Sequence, residues 1–313
     1  MGCEDLQYIV DAKSSSLSDF SGQTLAIDAV FWFQRYYYAR TLNEIPPANR
    51  VVDHTCDVSQ AISLLLSIPD LFRNNITPIF IFDPMNRSRP SKAETTAQYL
   101  ENAPDTSEPE KHLPFLQRPT ELILKYLNIP YCEAPLFAEA DASVFARSGL
   151  ADAVVSNDYD TLLYGAPITL RKRRNNATWE KIKLESVLIE NQLTYREFLD
   201  VAILVGTDEV LGPYKGHIEE AVDKVQHVEN LDEFETEQNR YLRGSSLQVT
   251  KPAPTFEELH ELYLDPPVTE HSIRPNPTYP IPDFSSVAQF LYQELDQDAK
   301  MIETLLNPIK GTV

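Results

Sequence analysis

Apolar residues in the first half of the chain come in short unbroken runs rather than in alternation. Thr24-Leu25-Ala26-Ile27-Asp28, Thr77-Pro78-Ile79-Phe80-Ile81-Phe82-Asp83 and Ala153-Val154-Val155-Ser156-Asn157-Asp158 each read as a strand covered on both faces. Between them lie helical patterns: an aromatic run from Phe31 to Tyr38, a stretch from about Asp57 to Arg73, another from Thr120 to Leu127, and an amphipathic segment from Ala138 to Arg147 with acids in its first turns. Strands separated by helices imply right-handed crossovers, so the fold expected is α/β, a mainly parallel twisted sheet with helices on both faces. A helix from Thr194 to Val205 follows. The C-terminal third is less regular, with Pro-rich linkers such as Pro275-Asn276-Pro277-Thr278-Tyr279-Pro280 and a closing helix pair over Ser285 to Leu306. No internal repeat is visible. The expected organisation is a core over residues 1–210 and a smaller helical region over 211–313.

All three strand segments end on an acid: Asp28, Asp83 and Asp158. In a parallel sheet the carboxyl edge is where ligands bind, so the topology would set these side by side, with Asp160 facing the same way if the chain stays extended. A single Asp-x-Asp after a strand is usually a turn. Four such acids at one edge repel one another, and a fold tolerates that only if protons or cations neutralise them; hard oxygen donors suit Mg²⁺ or Mn²⁺. Gly206-Thr207-Asp208 delivers one more acid at a helix end.

The 313 residues carry a formal charge of −20, which opposes binding to a polyanion unless salt screens it or positive charge is concentrated locally. At about 1 M salt the Debye length is roughly 3 Å, so an acidic surface is compatible with a salty cytoplasm. The one concentrated basic run, Arg171-Lys172-Arg173-Arg174, sits just after the Asp158/Asp160 pair. It reads either as a solvated hairpin with a charged edge or as a phosphate contact. The chain shows no bilayer-length apolar run and no basic, apolar leader, so the expectation is a cytoplasmic protein without a membrane partner. Gly2 lacks the Ser or Thr that myristoylation needs, Leu6 standing in its place. Cys3, Cys56 and Cys132 have no metal or disulfide spacing and read as reduced, packed thiols.

The ordered pieces Met1-Gly2, LAIDA, PIFIFD, IPYCEAP, AEADA, SNDYDTLLYGAP, FLDVAILVGTDE and HELYLDPP together resemble the flap endonuclease family of structure-specific 5′ nucleases over nearly the whole chain. The acidic composition is similar to that of divergent members from salt-loving archaea. The resemblance implies a PIN-like nuclease core with two divalent metals, Mg²⁺ or Mn²⁺, a helical arch, and a helix-two-turns-helix element that grips duplex DNA. It puts catalytic, metal-binding carboxylates at Asp28, Asp83, Glu139, Asp158, Asp160 and Asp208. The family has two Glu residues in an E-A-E-A segment; gap-free alignment gives Phe137 and Glu139 here, with Asp141 a substitute ligand if the helix start shifts.

Nucleic-acid contacts would come from Arg87, Arg89, Lys92, Arg171, Lys172, Arg173, Arg174 and Lys215. The arch insertion at about 84–118 is short, and residues 84–112 hold four basic side chains against five acidic ones. Gln34 replaces a stacking aromatic, and Tyr214-Lys215-Gly216-His217-Ile218 replaces the Gly-x-Gly turn, with Glu219 and Glu220 beside it. A sliding-clamp peptide is not found. The readings left open are a two-metal nuclease on branched or single-stranded DNA, with RNA an alternative substrate, and a non-catalytic scaffold or RNA-regulatory module that kept the fold.

Overall fold

The computed structural model describes residues 3–36, 59–84, 114–172, 178–210, 212–227, 254–269 and 281–312. Residues 85–113, most of the arch insertion with Arg87, Arg89 and Lys92, lie outside them, as do Arg173, Arg174 and Cys56.

The strands are β1 (Lys13–Ser15), β2 (Thr24–Asp28), β3 (Thr77–Phe82), β4 (Tyr131–Glu133), β5 (Ala153–Val155), β6 (Ile168–Lys172) and β7 (Trp179–Lys183). They form one sheet in the order β1-β7-β6-β5-β2-β3-β4. The five strands from β6 to β4 are parallel, and β7 and β1 are antiparallel additions. This is the expected α/β architecture. The basic hairpin of β6 and β7 forms, but β1 covers its outer side, so β1 and not β7 is the edge strand.

Described helices are α1 (Ala29–Tyr36), α2 (Ser59–Arg73), α3 (Pro114–Tyr126), α4 (Ala138–Arg147), α5 (Asp160–Leu163), α6 (Leu184–Glu190), α7 (Tyr195–Val205), α8 (Ile218–Gln226), α9 (Phe256–Leu264), α10 (Phe284–Gln293) and α11 (Ala299–Lys310). Successive strand residues point to opposite faces, so Leu25 and Ile27 of β2 join one core and Ala26 the other. On the first face Trp32, buried with its indole N–H donating to Ser67 Oγ at 2.7 Å, stacks on Trp179 at 6.1 Å and meets Phe80 edge-on. On the second face α4 lies on the sheet through Ala138, Ala142, Phe145 and Ala146 against Ala26, Ile79, Ile81 and Val154. Alanines at this seam let the helix axis come close, which brings the start of α4 down to the strand ends.

A third core joins α5 to α9 with the N-terminal turn Glu4–Tyr8. The closing pair α10 and α11 does not stand apart: Val287, Phe290, Leu291, Leu305, Leu306 and Ile309 belong to the first-face core with α1, α2 and α3. The first core thus takes residues from both sides of position 210. Among the described residues no helix is long and apolar enough to cross a membrane.

Between α7 and α8 the chain turns tightly. Gly206 has φ +99°, and a Cβ on Gly212 would lie 2.1 Å from the Leu204 carbonyl and 2.3 Å from the Gly206 amide, both backbone atoms. Only glycines allow this crossing, which carries Thr207-Asp208-Glu209. Gly212→Ala is expected to destabilise the protein by more than about 2 kcal/mol, since backbone must move to admit the methyl; a calorimetric melting curve will show the drop.

Candidate active site

Strand register explains how the first acids meet. In β2, Ile27 stands opposite Phe80 of β3 and Val155 of β5. Asp28 is thus next to the residue after Val155, and Ser156 Oγ donates to Asp28 Oδ2 at 3.0 Å. The other oxygen, Oδ1, accepts the Phe31 amide at 3.0 Å, anchoring the start of α1. Asp83 follows directly on β3, and its Oδ1 accepts the Ala138 amide at 3.0 Å. The residue before α4 is Phe137, whose side chain offers no cap and is buried in the third core. Asp83 therefore supplies from another strand the acceptor that Phe137 lacks. Glu139 is the next residue of that helix, 6% exposed.

The Asp158/Asp160 pair is built differently from the extended-strand expectation. β5 ends at Val155, and the chain then turns. Asn157 Oδ1 accepts the Lys172 amide at 2.9 Å, the Asp158 amide donates to Ser156 Oγ at 3.2 Å, and Asp158 Oδ1 accepts the Asp160 amide at 3.0 Å. The last bond starts α5, so both acids share a side because of a turn and a helix start, not because the strand runs on. Asp160 is fully buried, and its Oδ1 accepts the Cys3 amide at 3.0 Å. This is why the third core draws in the N-terminal turn.

One oxygen each from Glu139, Asp158 and Asp160 lie within 4.8 Å of one another, the one such group among the described residues. Asp28 belongs to the same field: its carboxyl is pushed up to about 7, by burial first, then by the charges of Asp83 and Glu139. Glu139 is thereby linked to both halves of the group. A set made wholly of carboxylate oxygens, with one acid driven toward protonation by burial and then by its neighbours' charge, fits a hard divalent cation. Burial, with Asp160, Asp5 and Asp158 nearby, raises the Cys3 thiol well above its usual range, and burial pushes Cys132 up to about 12, so both free thiols among the described residues are inert.

Asp141 and Asp208 lie outside the trio. Asp141 is fully buried, and its Oδ2 accepts the amide and hydroxyl of Thr269 at 3.1 and 2.7 Å. Asp208 is half-exposed on the tight turn after α7. Of the cationic candidates, Arg171 lies 3.5 Å over the Tyr159 ring and donates from Nε to the Asn157 carbonyl at 3.0 Å. That fixes a positive charge on the turn between Asp158 and Asp160. Lys172 lies over Trp179 at 5.5 Å, and Lys215 is exposed. The sequence reading passed over Ser156, Asn157 and Tyr159, though all three stand inside or beside the Asp-x-Asp stretch, as turn-forming and stacking residues.

Residues 1–104 match the family model for the XPG N-terminal domain and residues 128–208 that for the XPG I-region. The chain is 30% identical to flap endonuclease 1 of Haloarcula marismortui over 226 residues, 66% of this chain and 69% of that one. Its structure is similar to flap endonuclease-1 from Methanococcus jannaschii, with a TM-score of 0.68 and 24% identity over 98% of this chain and 99% of that one. It is also similar in fold to the Holliday junction-resolving enzyme GEN1 in complex with product DNA and Mg²⁺, with a TM-score of 0.63 and 18% identity over 99% of this chain and 77% of that one.

Asp28 titrates with a definite sign. Its folded-state pKa lies above the unfolded value of 3.8, so metal-free protein loses stability as pH rises from about 4 through about 7. In chelator, Asp28→Asn is expected to raise the melting temperature at pH 8 and to change it little at pH 4.5; thermal melts at the two pH values check this.

Proposed function

We propose, from the premise that this chain belongs to the flap endonuclease family, that it is a structure-specific DNA 5′ nuclease hydrolysing phosphodiester bonds with two divalent cations, Mg²⁺ or Mn²⁺. One observation carries the reading: Glu139, Asp158 and Asp160, from two separate stretches, converge to within 4.8 Å beside the strand-end acids Asp28 and Asp83. Relatives named flap endonuclease and a GEN1 neighbour holding product DNA and Mg²⁺ support it.

Asp28, Asp83, Glu139, Asp158 and Asp160 would hold the cations, with Glu139 shared between the two halves of the group and Asp208 reaching in from its turn. Bound there, divalent cations polarise the phosphodiester and lower the pKa of a water molecule. Asp141 is engaged by Thr269 and is left out of the set. The protein's own contribution is orientation: backbone amides of Phe31, Ala138, Asp160 and Cys3 each hold one carboxylate oxygen of Asp28, Asp83, Asp158 and Asp160. Arg171, flat on Tyr159, would receive a phosphate of the substrate at the mouth of the site. Lys172 and Lys215, with the basic residues outside the described segments, would extend that contact. With a net charge of −20, the rest of the surface repels DNA, so binding depends on these few cations and falls steeply when one is lost.

The test is cleavage of a labelled 5′-flap duplex in Mg²⁺ and in chelator. Activity is expected in Mg²⁺ or Mn²⁺ only, and Asp158→Asn should cost several kcal/mol of transition-state stabilisation, on the order of a thousandfold in rate. No cleavage by folded protein would turn the reading to the non-catalytic scaffold.

Arg171→Ala should raise KM about tenfold and flatten the slope of log affinity against log salt by about 1, with Arg171→Lys recovering only part of the loss. An unchanged salt slope would remove Arg171 from the interface.

A further inference from the structure

Residues 255 to 269 run from α7 to the outer strand of the sheet, and three of their side chains, those of His260, Tyr263 and Thr269, each meet a buried acid. His260 Nε2 lies 2.7 Å from Asp200 Oδ1 on α7. Tyr263, one turn further along α9, donates its hydroxyl to Glu209 Oε2 at 2.5 Å, and its ring sits 5.2 Å from Tyr164. Past the helix end, the Thr269 amide donates to Asp141 Oδ2 at 3.1 Å; its hydroxyl is 2.7 Å from the same oxygen and 3.0 Å from the Glu133 carbonyl of β4. Glu209 is 4% exposed and Asp141 is fully buried.

The places these contacts reach are the informative part. Glu209 follows Asp208 directly, and Asp141 lies two residues after Glu139 in the first turns of α4. One short segment thus ties down both pieces of backbone that bring acids to the site from the helical side. The side chains making the ties carry hydroxyls that apolar packing would not require: Phe would fill the Tyr263 position against Tyr164, and Val would fill that of Thr269. What the hydroxyls add is direction, holding a buried carboxylate, and the backbone that bears it, in one orientation.

We infer that residues 255–269 form a belt that positions the metal centre, with Tyr263 and Thr269 as positioning residues acting through Glu209 on Asp208 and through Asp141 on Glu139. The inference rests on the proposed metal site. Removing the Tyr263 hydroxyl cuts the tie of Glu209 to α9 and leaves its Oε2 with the Thr207 hydroxyl of its own turn, 2.7 Å away. Removing the Thr269 hydroxyl leaves Asp141 Oδ2 with the Thr269 amide. With the tie weakened, the backbone beside each acid shifts away from the geometry that would hold a cation. Outer-shell losses of this kind weaken metal binding by roughly 10- to 100-fold.

Melting temperature is measured against Mg²⁺ concentration for wild type, Tyr263→Phe, Thr269→Val and the double variant, alongside DNA cleavage. Each single variant is expected to need about tenfold more Mg²⁺ for half of the stabilisation, to approach wild-type kcat at saturating Mg²⁺, and to leave the KM for DNA unchanged. A lower melting point in chelator with the same half-saturating Mg²⁺ would make the belt a purely structural tie and overturn the inference. So would loss of Mg²⁺ stabilisation in Asp141→Asn with none in Thr269→Val, which would make Asp141 itself a ligand. Wild type without any Mg²⁺ stabilisation would sink the metal site first, and the belt with it. Thr269 is half-buried, so Thr269→Val decides the matter even if Tyr263→Phe does not fold.

Discussion

Mutual repulsion among carboxylates governs this molecule. Two unit charges about 4.8 Å apart at an effective dielectric near 20 repel by on the order of 3 kcal/mol, so three such pairs approach the whole stability of an ordinary domain, about 5–15 kcal/mol. The group of Glu139, Asp158 and Asp160, with Asp28 and Asp83 in its field, is therefore held together against its own charge by the surrounding fold. Asp28 feels this charge too: burial first, and then the charges of Asp83 and Glu139, push its carboxyl up to about 7. In the proposed function, divalent cations held there would offset the rest of this repulsion.

The rest of the architecture keeps these acids from turning away from one another. Four of them take a hydrogen bond from a backbone amide, and the amides come from α1, α4, α5 and the N-terminal turn. Amide donors favour the ionised form while fixing one oxygen, which leaves the carboxylate able to offer another. Helix–sheet packing supports this at one remove. The alanine seam of α4 lets its first turn reach the strand ends, and the Gly206–Gly212 crossing carries Asp208 on a turn too tight for side chains at the two glycines. The belt from α9 to Thr269 spans the same two places.

The sheet and most helices were legible in the chain because continuous apolar runs and 3.6-residue periodicity are local signals. The helix starts at Ala138 and near Thr194 came through in the same way. Reading Asp160 as part of an extended strand failed because a turn stabilised by Ser156 and Asp158 side chains looks, as a sequence, like more strand. Where the C-terminal helices pack was not legible for a different reason. Pro-rich composition marks linkers, but it does not tell where the next helices dock, and α10 and α11 return to the first core.

Residue order alone determined that strands end on acids, that these acids share one edge of a parallel sheet, and that a basic run follows them, since those facts depend only on pattern and connectivity. Which acids come within reach of one another was decided by tertiary structure. Asp141 and Glu139 stand two positions apart on one helix, yet Glu139 joins the cluster and Asp141 is taken by Thr269, 128 residues away. No local rule separates them: the choice depends on which side of α4 meets the strand ends and which meets a segment arriving from the far end of the chain, and only packing sets that.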